Sequence, residues 1–340
     1  MATLVWGHNP GSHSVKNCCA VSTVPGEFTG RRDLPPFDAV IAPAGRLEDF
    51  GVGQRQRALS ATIKFRDGKR TLPLVYYGGE TVRRLSSAIR QPVNGRLGLD
   101  SPIYQAFAQM SLSQMNLRIE KPNAYIVTAL PAEYRTDENV KALKAHISNA
   151  LVDHLFLADL EVVSEAAASL YYLFYTDAGE QNRSAANNRL TGLVLSADIG
   201  GGMMNHAVLD RLQPLMGQSR SPNLGSIEAI NELSARTGWS ATDSEDALRA
   251  MVGTGSGDDV VRQVLMTYRQ RLVSHLEKAW EHYARDARAI LVSGGTAPWV
   301  FDEIRRAFPK AELVGEHNTQ LVAAVGLYRK AMRNYVRNHG

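Results

Sequence analysis

Hydrophobic and polar positions alternate in short segments at the start of the chain, which is the period of a β-strand. This alternation predicts strands over residues 3–7, 15–23, 37–44, 60–66 and 69–77. The dipeptide Asp67-Gly68 separates the last two and is typical of a tight hairpin turn. Helical periodicity then appears over residues 81–89 and 101–115. The N-terminal part of the chain therefore begins with hairpins and continues into helices.

From residue 123 onward, buried strands alternate with amphipathic helices. Strands are predicted over residues 124–128 and 160–163, and helices over residues 138–151 and 165–174. The polar stretch 178–189 has few apolar residues, which predicts a surface loop and a boundary between two parts of the chain.

The strand-rich opening then recurs in the second half of the chain. The pattern predicts strands over residues 190–199, 204–209, 211–216, 289–292 and 312–314. It predicts helices over residues 226–237, 243–251 and 258–286, and a last helix from residue 320. The two halves share an order of elements, so the expected architecture is a duplicated α/β unit with a cleft between the copies.

The composition is that of a globular protein with a full core: 340 residues, 44% hydrophobic and 21% charged. No apolar stretch approaches the ~18–20 residues of a membrane span, and the first residues lack a secretory signal pattern, so a cytoplasmic protein is expected. The net charge of +4 is not gathered into one tract, which favours solvated helix faces over a nucleic-acid surface. The adjacent Cys18 and Cys19 point to opposite faces of a predicted strand, which favours buried thiols over a shared metal.

The first candidate site is the turn that runs from Asn9 through Gly11, Ser12 and His13 to Lys16. Glycine and serine let the backbone bend tightly with its N–H groups outward, which forms an anion-binding concavity. A lysine at the end of such a turn can reach a phosphate as a point charge. An ordinary Gly/Ser turn is the alternative for this segment taken alone.

The second candidate site begins at Asp198, which ends an apolar strand and is followed by Gly200, Gly201 and Gly202. These glycines let backbone N–H groups approach phosphate oxygens, and the carboxylate can hold Mg²⁺ through water. A flexible hairpin with an aspartate cap is the alternative.

Two further segments carry candidate chemistry. Gly294, Gly295 and Thr296 connect a buried strand to a helix, which offers N–H groups to a nucleotide, although a plain strand-to-helix turn has the same pattern. Glu165 lies at a predicted helix start, where a carboxylate either stabilises the helix dipole or orients the attacking water in phosphoryl transfer. The sequence contains no P-loop, HExxH motif or Cys/His ligand spacing.

In this order and at these intervals, the segments resemble the actin/Hsp70/sugar-kinase superfamily, and within it the plasmid-segregation actins of the ParM (StbA) type. Asn9, Gly11, Ser12 and Lys16 fill the places of that family's first phosphate loop. Residues 162–168 match its connecting segment, 198–201 its second phosphate loop, 294–297 its adenosine loop and 318–328 its final helix.

The resemblance implies a duplicated actin-like (RNase H-like) fold with a nucleotide cleft between two domains. Domain I would comprise residues 1–172 together with 325–340, and domain II residues 173–324. Ala323 and Gly326 would let the final helix cross the helix after Glu165 closely, which would form the interdomain hinge.

The resemblance also implies ATP or ADP and Mg²⁺ as cofactors. Asn9 and Asp198 would approach the metal through water from opposite domains, and Glu165 would orient the attacking water. The helix over residues 226–237 would border the base, with Asn231 and Glu232 as candidate contacts. The choice between ATP and GTP stays open.

The chain departs from the family pattern at several of these places. Asn9 stands where an aspartate is usual, and an amide can bind a magnesium water but lacks the charge. Gly202 and Met203 stand where threonines often contact phosphate, and Asn205 replaces another common aspartate. Nucleotide binding is therefore expected, whereas the rate of hydrolysis and the affinity for Mg²⁺ stay open.

The implied function is a polymerising ATPase that forms head-to-tail filaments of its own copies in plasmid or DNA segregation. Contact with DNA would be indirect, through a DNA-bound adaptor protein, and no membrane contact is expected. Two alternatives are a nucleotide-binding switch with little hydrolysis and a small-molecule kinase of the same superfamily.

Overall fold

The computed structural model describes residues 2–11, 14–24, 26–43, 59–67, 70–78, 89–90, 103–184, 189–215 and 217–339. Its strands are β1 (Thr3–Pro10), β2 (Ser14–Ser22), β3 (Arg32–Asp38), β4 (Val40–Pro43), β5 (Leu59–Asp67), β6 (Arg70–Gly78), β7 (Ile89–Arg90), β8 (Asn123–Leu130), β9 (Phe156–Ser164), β10 (Leu193–Ile199), β11 (Met204–Asp210), β12 (Gln213–Pro214), β13 (Ala289–Ser293) and β14 (Ala311–Leu313). Its helices are α1 (Ile103–Met115), α2 (Asp137–Leu151), α3 (Ala168–Phe174), α4 (Ser226–Thr237), α5 (Ala241–Thr254), α6 (Asp259–Trp280), α7 (Ala297–Ala307) and α8 (Val322–His339).

The same sheet topology occurs twice. The first sheet has the order β3-β2-β1-β8-β9 and the second β12-β11-β10-β13-β14. In each, an antiparallel hairpin is followed by two parallel strands, β8 and β9 in the first and β13 and β14 in the second. The predicted duplicated α/β architecture is confirmed. The strands β5, β6, β4 and β7 form a separate four-stranded sheet.

Helices cover both faces of each five-stranded sheet, which explains why their central strands are apolar on both faces. Helices α1 and α2 pack on the outer face of the first sheet, and α4 to α7 pack on the outer face of the second. Helices α3 and α8 lie between the two sheets in a shared core. Cys18 faces that shared core and Cys19 the outer one, which confirms the prediction of two buried thiols on opposite faces.

Helix α8 crosses helix α3 at very short range. A Cβ on Gly326 would lie 2.0 Å from the carbonyl oxygen of Ala168, so no side chain larger than hydrogen fits there without movement. The predicted close crossing therefore exists in the structure. That it acts as a hinge, and that the domains divide at residues 172 and 325, stay predictions.

Some predicted elements differ from those observed. The strand predicted over 211–216 is wrong for its first residues, because Arg211 and Leu212 adopt left-handed turn conformations with φ of 48° and 67°. The predicted helix over 81–89 lies outside the described residues except for Ile89, which belongs to β7. Helix α6 ends at Trp280 rather than at residue 286, and turns follow it. No helix in the described ranges combines the length and hydropathy that crossing a bilayer requires.

Candidate functional site

The two hairpins have the same register, which places four polar residues at equivalent positions. Asn9 of β1 pairs with Lys16 of β2, and Asp198 of β10 pairs with Asn205 of β11. In each hairpin one further pair follows before the loop. All four side chains are buried. Because each loop begins two residues beyond Asn9 and Asp198, the two glycine-containing loops and their polar residues are structural counterparts.

Glu165 connects the two hairpins. It follows β9 and begins a short 3-10 helix over residues 165–167 that leads into α3. Its Oε1 accepts a hydrogen bond of 3.1 Å from Nδ2 of Asn9, and its Oε2 accepts one of 2.7 Å from Nδ2 of Asn205. Both carboxylate oxygens are thus held by amides that come from different sheets.

Burial dominates the electrostatics of this group. It raises the pKa of Glu165 well above its usual range, and the negative charge of Asp198 raises it further. Burial likewise raises the pKa of Asp198. The positive charge of Lys16 opposes both shifts, as do the hydrogen bonds that the two carboxylates accept. Lys16 therefore partly compensates the negative charge of two buried carboxylates.

The loop after β13 packs directly against Asp198. The hydroxyl of Ser293 donates to Oδ1 of Asp198 at 3.3 Å. Gly294 has a φ of +101°, and a Cβ there would lie 2.6 Å from the same Oδ1 and 2.4 Å from the carbonyl oxygen of Ile199. Thr296 donates its hydroxyl to the carbonyl oxygen of Gly200 at 3.1 Å. The second predicted phosphate loop and the predicted adenosine loop are therefore parts of one packed unit.

These groups surround an open cleft with an empty space of about 630 Å³, which includes solvent at its mouth. Its lining residues are Gly11, Ser14, Lys16, Glu165, Asp198, Gly200, Gly201, Met203, Asn205, Ser226, Arg249, Gly295, Thr296 and Gln320. The cleft is bordered by loops of both sheets, and its lining is mainly polar and charged.

The structure brings most of the predicted site residues together. Eight of them line the cleft: Gly11, Lys16, Glu165, Asp198, Gly200, Gly201, Gly295 and Thr296. Asn9 and Gly294 lie directly behind this lining, in contact with Glu165 and Asp198. Gly202 is a buried residue of the second loop. Ser12 and His13 lie outside the described residues.

The two predicted base contacts lie elsewhere. Neither Asn231 nor Glu232 is among the described residues that line the cleft. Asn231 is exposed, and Glu232 forms ion pairs with Arg236 and Arg271 on the surface of α4.

Sequence reasoning did not find some of the lining residues. Arg249 enters the cleft from helix α5, pairs with Glu245 at 2.7 Å and lies over the ring of Trp299 at 5.7 Å. The sequence around it reads as an ordinary amphipathic helix, so nothing distinguished this arginine. Ser226 and Gln320 stood at the starts of predicted helices, a position at which polar residues are common.

Comparison with known proteins gives the fold its class. No protein-family model matches the sequence, and no curated protein matches it. Among solved structures, the chain is similar along 99% of its length to 98% of apo pSK41 ParM, with a TM-score of 0.66 and 13% identity. It is similar along 99% of its length to all of Bacillus thuringiensis ParM with ATP, with a TM-score of 0.62 and 13% identity.

A third similar structure is the archaeal actin homolog Ta0583 in complex with ADP. It has a TM-score of 0.66 and 18% identity, and the likeness covers 98% of this chain and 100% of that one. The chain thus has the actin-like fold, and its structural neighbours are ParM and other bacterial and archaeal actin homologues.

Proposed function

We propose that this protein is an actin-like ATPase that binds ATP in the cleft and assembles into filaments in plasmid or DNA segregation. The observation that carries the proposal is the convergence of Lys16, Asp198 and Glu165 on one cleft between two equivalent hairpins. Similar structures hold ATP or ADP, which supports a nucleotide as the ligand.

The arrangement suits a polyphosphate bound between the hairpins. Lys16 is the cationic group of the first hairpin, and it would stabilise the negative charge of the phosphates from one side. Gly11, Gly200 and Gly201 line the cleft without side chains, so the phosphates can approach the backbone. Arg249 borders the same space from α5 and offers only hydrogen-bond donors to the nucleoside part.

The residues also fit Mg²⁺ held through its waters. Asp198 supplies a buried carboxylate that can accept from a metal-bound water, and Asn9, at the equivalent position of the first hairpin, supplies an amide oxygen that can do the same. Within the described ranges no cluster of three or more His, Cys, Asp or Glu side chains could hold a metal. Such sparse protein ligation is usual for Mg²⁺, which keeps its waters and binds substrate phosphates. When bound, the ion would neutralise charge that develops on the phosphates.

Glu165 would place the attacking water. Its carboxylate lines the cleft and is fixed by two amide donors, so a water that donates to it would have a defined position relative to the terminal phosphate. Loss of that phosphate removes a ligand shared by both hairpins. Closure of the cleft, and with it assembly, would then depend on the state of the nucleotide. We propose that the filament is a head-to-tail polymer of this chain, which contacts DNA through a bound adaptor protein.

A second candidate function is a nucleotide-binding switch that hydrolyses little. The observation that favours it is Asn9, which supplies an amide donor to Glu165 rather than a second negative charge. Such a protein would bind ATP and close, but it would release phosphate very slowly.

One experiment separates the two functions. ATP and Mg²⁺ are added to the purified protein, and right-angle light scattering and phosphate release are followed together. Scattering that rises and then decays as phosphate appears supports the dynamic filament. Scattering that persists without phosphate supports the switch in a stable polymer. Bound ATP with no rise in scattering contradicts the filament.

A further inference from the structure

We infer that Asn205 is a positioning residue for Glu165: its amide group holds the carboxylate across the cleft and fixes the direction in which the carboxylate can receive a water. This inference rests on the proposed ATPase function and adds a residue to it. The direct contact runs from Nδ2 of Asn205 to Oε2 of Glu165 and measures 2.7 Å.

The contact joins the two repeated units at the point where the ligand would bind. Asn205 belongs to β11 of the second sheet, and Glu165 follows β9 of the first sheet. Asn205 is 2% exposed and Glu165 8% exposed. At such burial a hydrogen bond to an ionised group is strong, and its loss is costly. The position of the carboxylate is therefore set by the second sheet as well as by its own.

The orientation of the amide matters as much as its polarity. An asparagine has a donor side and an acceptor side, and here the donor side faces Glu165. The acceptor, Oδ1, is buried, lies in a residue that lines the cleft and meets no hydrogen-bond donor among the described residues. The free acceptor can take a hydrogen bond from the same ordered water that donates to Glu165. Asn205 would thus define the water site from two directions.

An aspartate at this position would have the same shape but no donor. Once both groups are ionised, it would place one carboxylate oxygen against another across a contact of 2.7 Å, and the two would repel. At alkaline pH, above the raised pKa of the pair, the substitution Asn205→Asp therefore removes the positioning contact with little change in volume, and both readouts are taken there. The paired substitution Asn205→Asp/Glu165→Gln restores one donor and one acceptor, with their places exchanged.

The test is a double-mutant cycle with two readouts. It compares the wild type, Asn205→Asp, Glu165→Gln and the paired variant. Thermal unfolding of the nucleotide-free protein measures the contact itself. We expect Asn205→Asp to lower the melting temperature by several degrees and the paired variant to recover most of that loss. Steady-state phosphate release measures the positioning. We expect Asn205→Asp to lower kcat by about tenfold or more while KM for ATP stays within about threefold, because the carboxylate is misplaced but the nucleotide contacts remain.

The matched control is Ser196→Ala. Ser196 of β10 forms a buried hydroxyl contact of 2.9 Å with Ser169 of α3, so it also links the second sheet to the segment after Glu165, but it does not line the cleft. Loss of the Ser196 hydroxyl should lower the melting temperature and leave kcat unchanged.

In the paired variant kcat should stay low although the melting temperature recovers. The reason is that its carboxylate lies on residue 205 instead of residue 165.

Each outcome decides a separate point. Melting losses that simply add in the paired variant would overturn the contact. Wild-type kcat in Asn205→Asp would overturn the positioning role. A wild-type protein that releases no phosphate would overturn the proposed ATPase function and the positioning role with it, whereas the unfolding cycle would still decide whether the contact exists.

Discussion

Gly326 of helix α8 is in direct contact with the backbone of Ala168 in helix α3. A Cβ on residue 326 would lie 2.0 Å from the Ala168 carbonyl oxygen and 3.1 Å from the backbone nitrogen of Tyr172. Helix α3 begins just after the segment that carries Glu165, and α8 also packs on β1, which carries Asn9. The crossing therefore links the elements that position both residues.

Gly326→Ala is expected to destabilise the protein, although alanine is the better helix former. Adding a methyl group against a backbone carbonyl forces the helices apart, at a cost of about 1–3 kcal/mol. Gly253→Ala is the control, because Gly253 lies in helix α5 and a Cβ there meets nothing within 4 Å. That variant should gain about 0.5–1 kcal/mol. Urea unfolding measures both, and equal effects would show that the close crossing does not exist.

Lys16→Met is expected to weaken ATP binding by about 10- to 100-fold, since a charged hydrogen bond to phosphate is worth about 1.5–3 kcal/mol. Lys16 is buried at the cleft, and its charge also opposes the raised pKa values of Glu165 and Asp198. Isothermal titration with ATP and Mg²⁺ gives the affinity. Lys330→Met is the control, because Lys330 pairs with Glu161 at 3.1 Å and does not line the cleft. Unchanged affinity in Lys16→Met would remove this lysine from the site.

Glu165→Gln is expected to slow phosphate release by about 10²–10⁴-fold, the usual effect of losing a group that directs proton transfer. ATP affinity should change little, because we propose that Lys16 and the glycine loops, rather than Glu165, hold the phosphates. Light scattering in the variant should rise with ATP and then persist. Full activity would instead require another group to orient the water.

Much of the fold followed from patterns that are local in the sequence. Alternating residues and the glycines after Asp198 marked the hairpins, and their recurrence marked the duplication. The contact of Glu165 with Asn9 and Asn205 could not be predicted in this way. It joins residues 156 and 40 positions apart, and it depends on which side of each amide faces the carboxylate.

The two residues expected to contact the base show the same limit. The sequence favoured Asn231 and Glu232 because they are polar residues on the helix that was expected to border the base. Periodicity places residues on a helix, but the rotation of that helix against its neighbours decides which side faces the ligand. Here the surface of α4 directs Glu232 toward Arg271, and Arg249 of α5 reaches the cleft instead.

A pair of histidines beside the site predicts how stability depends on pH. His206 follows Asn205 in β11, and its Nε2 lies 3.1 Å from Nε2 of His275 in α6. Burial, together with the nearby His275 and Arg220, lowers the pKa of His206 to about 4. Burial, and then Lys278, also lower the pKa of His275. Both imidazoles are therefore neutral in the folded protein at neutral pH.

Because the folded pKa of His206 lies below the value of about 6.5 expected in the unfolded chain, the unfolded state takes up the proton first as the pH falls. The stability that this group contributes is present above pH 6.5 and is lost between about pH 6.5 and 4, which amounts to about 2 kcal/mol between pH 7.5 and pH 5. Urea unfolding at these two pH values should show this loss of unfolding free energy in the wild type. The loss should be smaller by about 2 kcal/mol in His206→Gln, which cannot be protonated.

His154→Gln, at an exposed histidine, is the control. If His206→Gln and the wild type lose the same free energy of unfolding, His206 is not the neutral, buried group that the structure shows, because its proton would then bind equally well in both states.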